Sequence, residues 1–416
     1  MDWLTADRAG AWLRVLAVMT AGLAILWIGL SPNGVDPAGN PLGTDFIAFW
    51  TAARLTLETG AAGAYDGELH GAAQQAAFPG VDVGYTPFPY PPIFLLFCLP
   101  LGLLPYFPAL AVWMGVTGLG YWRVVRAWAA GAFPSTLAAL AFPAVIMNLG
   151  HGQTAFLTAA LFGAGALALP RRPFIAGLIL GLLTFKPHVG ILIPVALLAA
   201  RQWRAILGAT ISTLTLVAAT LLVFGAPAWT AFLKQAFMLG KILQTDLLDP
   251  GKIQSTFGAL RLWGAPPTLA LAGQAPVALA ALAAVASVAY RRPRDPAVGP
   301  VLIAATLIAT PYILDYDLTL MAIPMAWVLS QATRKGFLRG EKLVLLAAYV
   351  LPLVSRMVAM KFFIPLAPVV LIALLAITVR RALSVDGAEE ELGGQARMRS
   401  WIRSRSAPSS PSTLSR

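Results

Sequence analysis

The sequence is poor in charge, in cysteine and in histidine. Only 12% of its 416 positions are charged, cysteine occurs once and histidine three times. The one cysteine, Cys98, sits in the apolar run IFLLFCLPLGLL, so no disulfide framework and no thiolate metal cluster can be built. Also missing are a glycine-rich phosphate loop followed by Lys and Ser/Thr, a GxGxxG turn after a strand, HExxH and GxSxG. Those absences leave no room for a soluble nucleotide-dependent domain. Any anionic substrate that reaches this chain therefore comes through the membrane.

What is abundant is apolar: 58% of residues are hydrophobic and the mean hydropathy is +0.74. Such a composition describes a polytopic membrane protein, not a soluble core. The net charge of +12 would suggest nucleic acid in a soluble protein. Here the basic residues lie in short clusters between apolar runs, where they orient a membrane protein, and no nucleic-acid partner is expected.

Apolar runs cover 12–30, 93–104, 107–122, 135–148, 155–169, 174–185, 190–200, 205–224, 267–290, 297–313, 318–329, 342–358 and 362–379. Runs this apolar cross a bilayer only as helices. The first has Arg8 before it and Arg14 at its start and is followed by no small-residue cleavage site, which reads as an uncleaved anchor with a cytoplasmic N-terminus. Basic clusters at Arg123/Arg126, Arg171/Arg172, Arg201/Arg204, Arg291/Arg292/Arg294, Arg334/Lys335/Arg339 and Arg380/Arg381 then belong on the cytoplasmic side. The alternation fails only at 93–104, a run flanked and broken by Pro91, Pro92, Pro100 and Pro105. That run is better read as re-entrant or half-embedded. About twelve crossings remain, with both termini cytoplasmic.

Between the first two runs, residues 31–92 form an acidic loop: Asp36, Asp45, Glu58, Asp66, Glu68 and Asp82 against one basic residue, Arg54. A carboxylate at a bilayer edge is a functional candidate, and Asp45 in GTDFIAFWTAARL leads them. With this topology the other polar punctuation also gathers outside. It comprises Tyr85 and Tyr90 before the YPP turn, His151 and Gln153 in NLGHGQ, Lys186 and His188 in TFKPHVG, Lys234, Lys241, Lys252 and Ser255 in a second loop at 225–266, and Asp315, Tyr316 and Asp317 in PYILDYDL. This one-sidedness points to a single external active site.

Each constellation has two readings. Lys186 either snorkels at a helix end or, at a place where positive-inside bias disfavours lysine, answers an anionic ligand together with His188. The glycines around His151 allow close backbone approach, with Gln153 free to bind or merely to satisfy its own turn. Asp315 and Asp317 could hold a divalent cation, line a substrate pocket or serve as an acidic helix start. Residues 232–248 carry apolar residues at helical spacing around Lys234 and Lys241, fitting either an interfacial helix or a packed loop.

A membrane-borne phosphate ester suits one aspartate. In glycosyl transfer from a lipid phosphate sugar, a carboxylate takes the acceptor hydroxyl's proton while the departing phosphate needs cations and no general acid. Asp45 with Lys186, His188 or Arg54 would suffice, unlike the paired carboxylates of a glycosidase. A transporter or lipid flippase is the alternative class, disfavoured by the lack of visible inverted repeats and by polar residues on one face instead of the midplane. A third class, a structural membrane subunit, would tolerate substitution of the outer polar cluster.

Taken as a set, DFIAFWTAARL with AYDGEL, the YPP turn before LPLGLLP, NLGHGQTAFLTAALF, GLLTFKPHVGILIP and YILDYDL resemble glycosyltransferase family 87 over about Thr44 to Leu329. The resemblance implies an all-α GT-C-type membrane fold with interfacial helices in its external loops. It also implies an inverting transfer, typically of mannose, from a polyprenyl-phosphate donor to a lipid or cell-envelope glycan at the outer face of a bacterial cytoplasmic membrane, with no cofactor required. The family's catalytic aspartate falls on Asp45, and Ser255 matches a serine often found in that loop. Some relatives carry histidines where this chain has LDYDL. One membrane domain is expected over 1–381, followed by a charged, Ser/Pro-rich cytoplasmic tail at 382–416 without periodicity.

Overall fold

The computed structural model describes residues 5–131, 135–242 and 249–384. Among them the regular structure is helical, with only two isolated β-bridges, Val35 to Pro41 and Ile253 to Leu314. The chain runs through α1 (Ala6–Gly29), α2 (Phe46–Thr59), α3 (Gly67–Ala77), α4 (Pro92–Gly102), α5 (Tyr106–Ala129), α6 (Ser135–Leu140), α7 (Pro143–His151), α8 (Ala155–Ala168) and α9 (Pro173–Gly181). It continues through α10 (Pro187–Gly190), α11 (Ile193–Ala199), α12 (Trp203–Ile242), α13 (Thr256–Leu262), α14 (Pro267–Arg291), α15 (Val298–Ala309), α16 (Ala322–Lys335), α17 (Glu341–Phe362) and α18 (Leu366–Ser384).

Five of these helices are long and apolar enough to cross a membrane: Asp7–Gly29, Trp203–Gly240, Pro267–Arg291, Glu341–Phe362 and Leu366–Ser384. Their lipid-facing character is plain in side chains such as Val18, Ile25 and Leu222, exposed by 73%, 72% and 86%. The other apolar runs are shorter because proline and glycine interrupt them. Pro92, Pro143, Pro173 and Pro187 each open a helix, where a missing N–H costs nothing. At 11 residues, α4 extends about 16 Å, well short of a ~30 Å hydrocarbon core.

The first loop is built into the body of the protein. α2 buries Phe46, Phe49 and Ala52 completely or nearly so, and α4 approaches it so closely that a Cβ on Gly102 would lie 2.9 Å from Ala53. In the second loop α12 bends at Gly225 (φ 75°), just before Pro227, and stays helical to Ile242. The helix expected over 232–248 is therefore present as far as 242, and 243–248 lie outside the described residues. α18 carries the helix to Ser384, three residues into the expected tail. The rest of that tail lies outside the described residues.

Small residues decide the tightest packing. α9 and α12 run side by side in the same direction, with Gly177 against Ala205 and Ala209, Gly181 against Ala209 and Ser212, and Gly208 against Phe174. A Cβ on Gly177 would stand 2.0 Å from the Ala205 carbonyl oxygen. Small residues at such seams let backbones touch without a hydrophobic driving force between helices. At another junction Arg381 grips the buried Glu341, its Nε donating to Oε1 at 2.7 Å and its Nη2 to Oε2, which ties the end of α18 to the start of α17.

Gly177→Ala is expected to destabilise the protein by about 1–3 kcal/mol through overpacking. Gly190→Ala, where the nearest side-chain atom would be an ordinary 3.8 Å away, serves as the control. Thermal unfolding in detergent checks this, and equal midpoints for the two variants would refute the seam as a packing constraint.

Candidate active site

Two left-handed glycines bring the first loop to the turn between α7 and α8. Gly43 has φ 75° and Gly152 φ 67°, and a Cβ on Gly152 would lie 2.6 Å from Phe46 Cβ and 3.3 Å from Gly43 Cα. Only glycine combines that backbone with that proximity. The interlock lets the Asp45 N–H donate to the His151 carbonyl at 2.9 Å. Trp113 Nε1–H donates to the Gly152 carbonyl at 3.0 Å, and the Tyr106 hydroxyl reaches the Leu42 and Gly43 carbonyls at 2.8 and 3.0 Å. What the glycine beside His151 approaches is thus the loop that carries Asp45.

Asp45 occupies the N-cap position of α2, yet its carboxylate caps no backbone amide. Oδ2 instead accepts from Gln153 Nε2 at 3.2 Å and lies 3.4 Å from His151 Nδ1, which also meets Thr44 Oγ1 at 3.0 Å. Gln153 is itself fixed, since its Oε1 accepts from the Tyr90 hydroxyl at 3.1 Å and from the Thr154 N–H at 2.9 Å. The Asp45 side chain keeps 27% exposure. Protein nevertheless surrounds it closely enough that desolvation raises its pKa above the ordinary carboxyl value. His151 and Gln153 partly offset that rise, Asp315 adds to it and Lys252 lowers it.

The facing wall comes from the break after α9. A 3-10 turn at Leu182–Phe185 ends at Lys186, whose backbone leaves the helical region (φ −130°, ψ 71°) ahead of Pro187. Lys186 is 2% exposed and its Nζ is bound to Asp317 Oδ1, with the Tyr316 ring 5.4 Å away. Tyr316 in turn sets its ring against His151, centroids 5.7 Å apart and edge to face, so it joins the two walls. Asp315 Oδ2 faces Arg356 Nη1 from α17 at 3.5 Å. The His188 side chain, two residues from Lys186, is exposed, while its carbonyl accepts from Thr310 Oγ1 at 3.0 Å.

Asp45, Gln153, His151, Tyr316, Asp317 and Lys186 thus form one continuous chain of contacts, with Asp315 close enough to act on Asp45 and His188 two residues from Lys186. Two sequence candidates do not join them as expected. Arg54 lies nine residues along α2, about 14 Å from Asp45 by helical rise, paired with Glu58 at 2.5 Å and exposed. Ser255 is buried in a scaffold role: it caps α13 by accepting from Gly258 N at 3.1 Å and donates to the Pro311 carbonyl. Together with the Gln254 N–H to Ile313 carbonyl bond at 2.7 Å, it docks the second loop on the segment leading to Asp315. The anion that accounts for a lysine at position 186 is Asp317 of the protein itself. No group of three or more His, Cys, Asp or Glu suited to a metal occurs among the described residues.

Two further cations border this cluster: Lys252, which the sequence placed only in the outer polar set, and Arg356, which it did not single out. Lys252 ends the 3-10 turn Pro250–Lys252, is half-buried, and pairs with no described carboxylate. Arg356 is 35% exposed and touches Asp315 through a single long contact. The turn carrying Lys252 packs on the helix carrying Arg356, because a Cβ on Gly251 would meet Met360 at 2.6 Å, one turn beyond Arg356 on α17. The signal for Arg356 was present: it is the lone charge within the apolar run 342–358 once Lys342 at its start is set aside.

Breaking the buried pair by Lys186→Met or Asp317→Leu alone is expected to cost about 3–5 kcal/mol, since each leaves an uncompensated buried charge. The double variant is expected to recover most of that loss, read as thermal or denaturant midpoints. Additive single effects would show that the two residues do not act as a pair.

Residues 88–314, more than half of the chain, match the sequence profile of glycosyltransferase family 87. The matched stretch holds Tyr90, His151, Gln153, Lys186, His188, Lys252 and Ser255; it begins after Asp45 and ends just before Asp315. No curated protein and no solved structure matches the chain. All-helical in its regular structure among the described residues, with five helices long and apolar enough to cross a membrane and with His151, Gln153, Lys186 and His188 inside the matched stretch, the chain belongs to glycosyltransferase family 87.

Proposed function

We propose that the protein transfers a mannosyl residue from a polyprenyl-phosphate carrier to a hydroxyl of a lipid or cell-envelope glycan, at the outer face of a bacterial cytoplasmic membrane, on a GT-C-type framework of about twelve crossings. Short interrupted helices such as α9 with its 3-10 extension, and α10 with α11, would complete the crossings that no single long helix makes. The observation that carries the reading is the accessible Asp45 carboxylate, held at Oδ2 by Gln153 and His151 and close enough to Lys252 to feel its charge.

In this scheme Asp45 accepts the proton of the acceptor hydroxyl as that oxygen attacks the anomeric carbon. The bond from that carbon to the phosphate oxygen breaks, and the electron pair leaves with the lipid phosphate. Attack from the face opposite the phosphate inverts the anomeric centre. Burial raises the basicity of Asp45, and the Gln153 bond keeps the reacting oxygen aimed. Because Lys186 is committed to Asp317 and Arg54 to Glu58, the leaving phosphate is met by Lys252, Arg356 and His188. Lys186 acts as a positioning residue through Asp317 and Tyr316.

Membranes or purified protein supplied with polyprenyl-phosphate mannose and envelope lipid acceptors provide the assay. Asp45→Asn is expected to lower transfer by about 10²–10⁴-fold, and undiminished transfer would remove the central claim. The base must be ionised, so kcat/KM falls as pH drops through the raised Asp45 pKa. Gln153→Leu removes a hydrogen bond that lowers this pKa, and the acid limb is expected to move to higher pH. A limb that stays in place or moves to lower pH would show that Gln153 does not tune the base.

A further inference from the structure

The end of the protein opposite Asp45 carries a polar recess. α15 leads from it to the Asp315 turn and, at 12 residues, separates the two by about 18 Å. The recess opens between the turn joining α11 to α12 and the turn joining α14 to α15, lined by Arg201, Gln202, Tyr290, Arg291, Arg292 and Arg294 with Asp295. Its volume is about 1010 Å³. Four arginines thus face one carboxylate, and that carboxylate is taken by Arg292 Nη1 at 2.9 Å.

The other three arginines are exposed and pair with no described carboxylate. Arg201 adopts a left-handed backbone (φ 53°), which a non-glycine residue holds at some cost, and its guanidinium lies 5.8 Å from the centre of the Tyr290 ring. The groove is braced from below by Gln202 Nε2, which donates to the Pro293 carbonyl at 2.6 Å. The wall is therefore fixed while its guanidinium groups remain available.

Position identifies the occupant. α12 begins at Trp203 and α14 ends at Arg291, and both are among the helices able to cross a membrane, so the groove lies at headgroup depth. Trp203 and Tyr290 are 63% and 65% exposed, as aromatic residues at a bilayer interface are. Leu207, one turn into α12, and Leu282, two turns back along α14, offer apolar surface toward the hydrocarbon. We infer that this groove binds the phosphodiester headgroup of an anionic phospholipid of the surrounding bilayer, a site separate from the one that would take the sugar donor. Guanidinium forks suit phosphate oxygens, and basic pockets between spans are where such headgroups lodge.

The test uses the full-length protein released from nanodiscs of equimolar phosphatidylglycerol and phosphatidylcholine, with retained lipid counted by native mass spectrometry. Wild type is expected to retain phosphatidylglycerol over phosphatidylcholine by at least about tenfold. The triple variant Arg201→Gln, Arg291→Gln, Arg294→Gln is expected to lose that preference. A second triple with Lys at the same positions keeps the charge that orients the chain and, lacking the fork, is expected to reduce the preference severalfold. Arg334→Gln, Lys335→Gln, Arg339→Gln removes as much charge from another basic cluster and is expected to leave it intact. Equal retention of both lipids by wild type would overturn the inference, as would an equal loss in the control triple. So would displacement of the lipid by millimolar inorganic phosphate, which would mark a free-anion site.

Discussion

The contact between Lys186 and Asp317 holds the rest of the site in register. Both side chains are 2% exposed, so each charge has left water and depends on the other. Separating them would strand a charge inside the helical body, and the chain therefore cannot let the break after α9 drift from the turn that opens α16. Tyr316 lies between Asp315 and Asp317 and is pinned by this pairing, and its ring meets His151. His151 and Gln153 in turn meet Asp45. A single buried ion pair thus fixes, through two aromatic and hydrogen-bonded steps, the orientation of a carboxylate on a different loop.

The same pairing redistributes charge in the cluster. Three carboxylates, at 45, 315 and 317, share the space with three cations, at 186, 252 and 356. One pair is sealed, one is loose and one carboxylate is left near an unpaired lysine. The cluster is therefore close to balanced in formal charge. The proposed transfer would use that balance by setting a phosphate ester against Lys252 and Arg356 and a neutral hydroxyl against Asp45.

Much of this could be read from residues in order. Membrane class, helical class and family follow from composition and from motifs whose members lie close together in the chain. Asp45, His151 and Gln153 stood out in the sequence as polar residues beside glycines at the ends of apolar runs, and the structure brings their side chains into contact. Pairings across long separations did not stand out. Nothing at position 186 announces that its counter-ion stands 131 residues later, and Ser255 looks the same in sequence whether it caps a helix or faces a substrate. Arg54 misled because its loop is acidic overall, while helical spacing gives it Glu58 as a neighbour and turns it away from Asp45. Crossing counts suffer from the same limit: a run broken by proline reads as one span, two half-spans or a hairpin until its neighbours are known.

The seam of Gly177, Gly181 and Gly208 bears on how a long isoprenoid could approach. Where two backbones meet with no space for a methyl group, no hydrocarbon chain can slide between them. α9 and α12 therefore form a closed wall, and the lipid-linked donor of the proposed reaction would have to reach Asp45 past some other pair of helices. Along that wall the chain is constrained in size more than in chemistry, so sequence drift there is confined to the smallest side chains while the lipid-facing sides of the same helices stay free to vary.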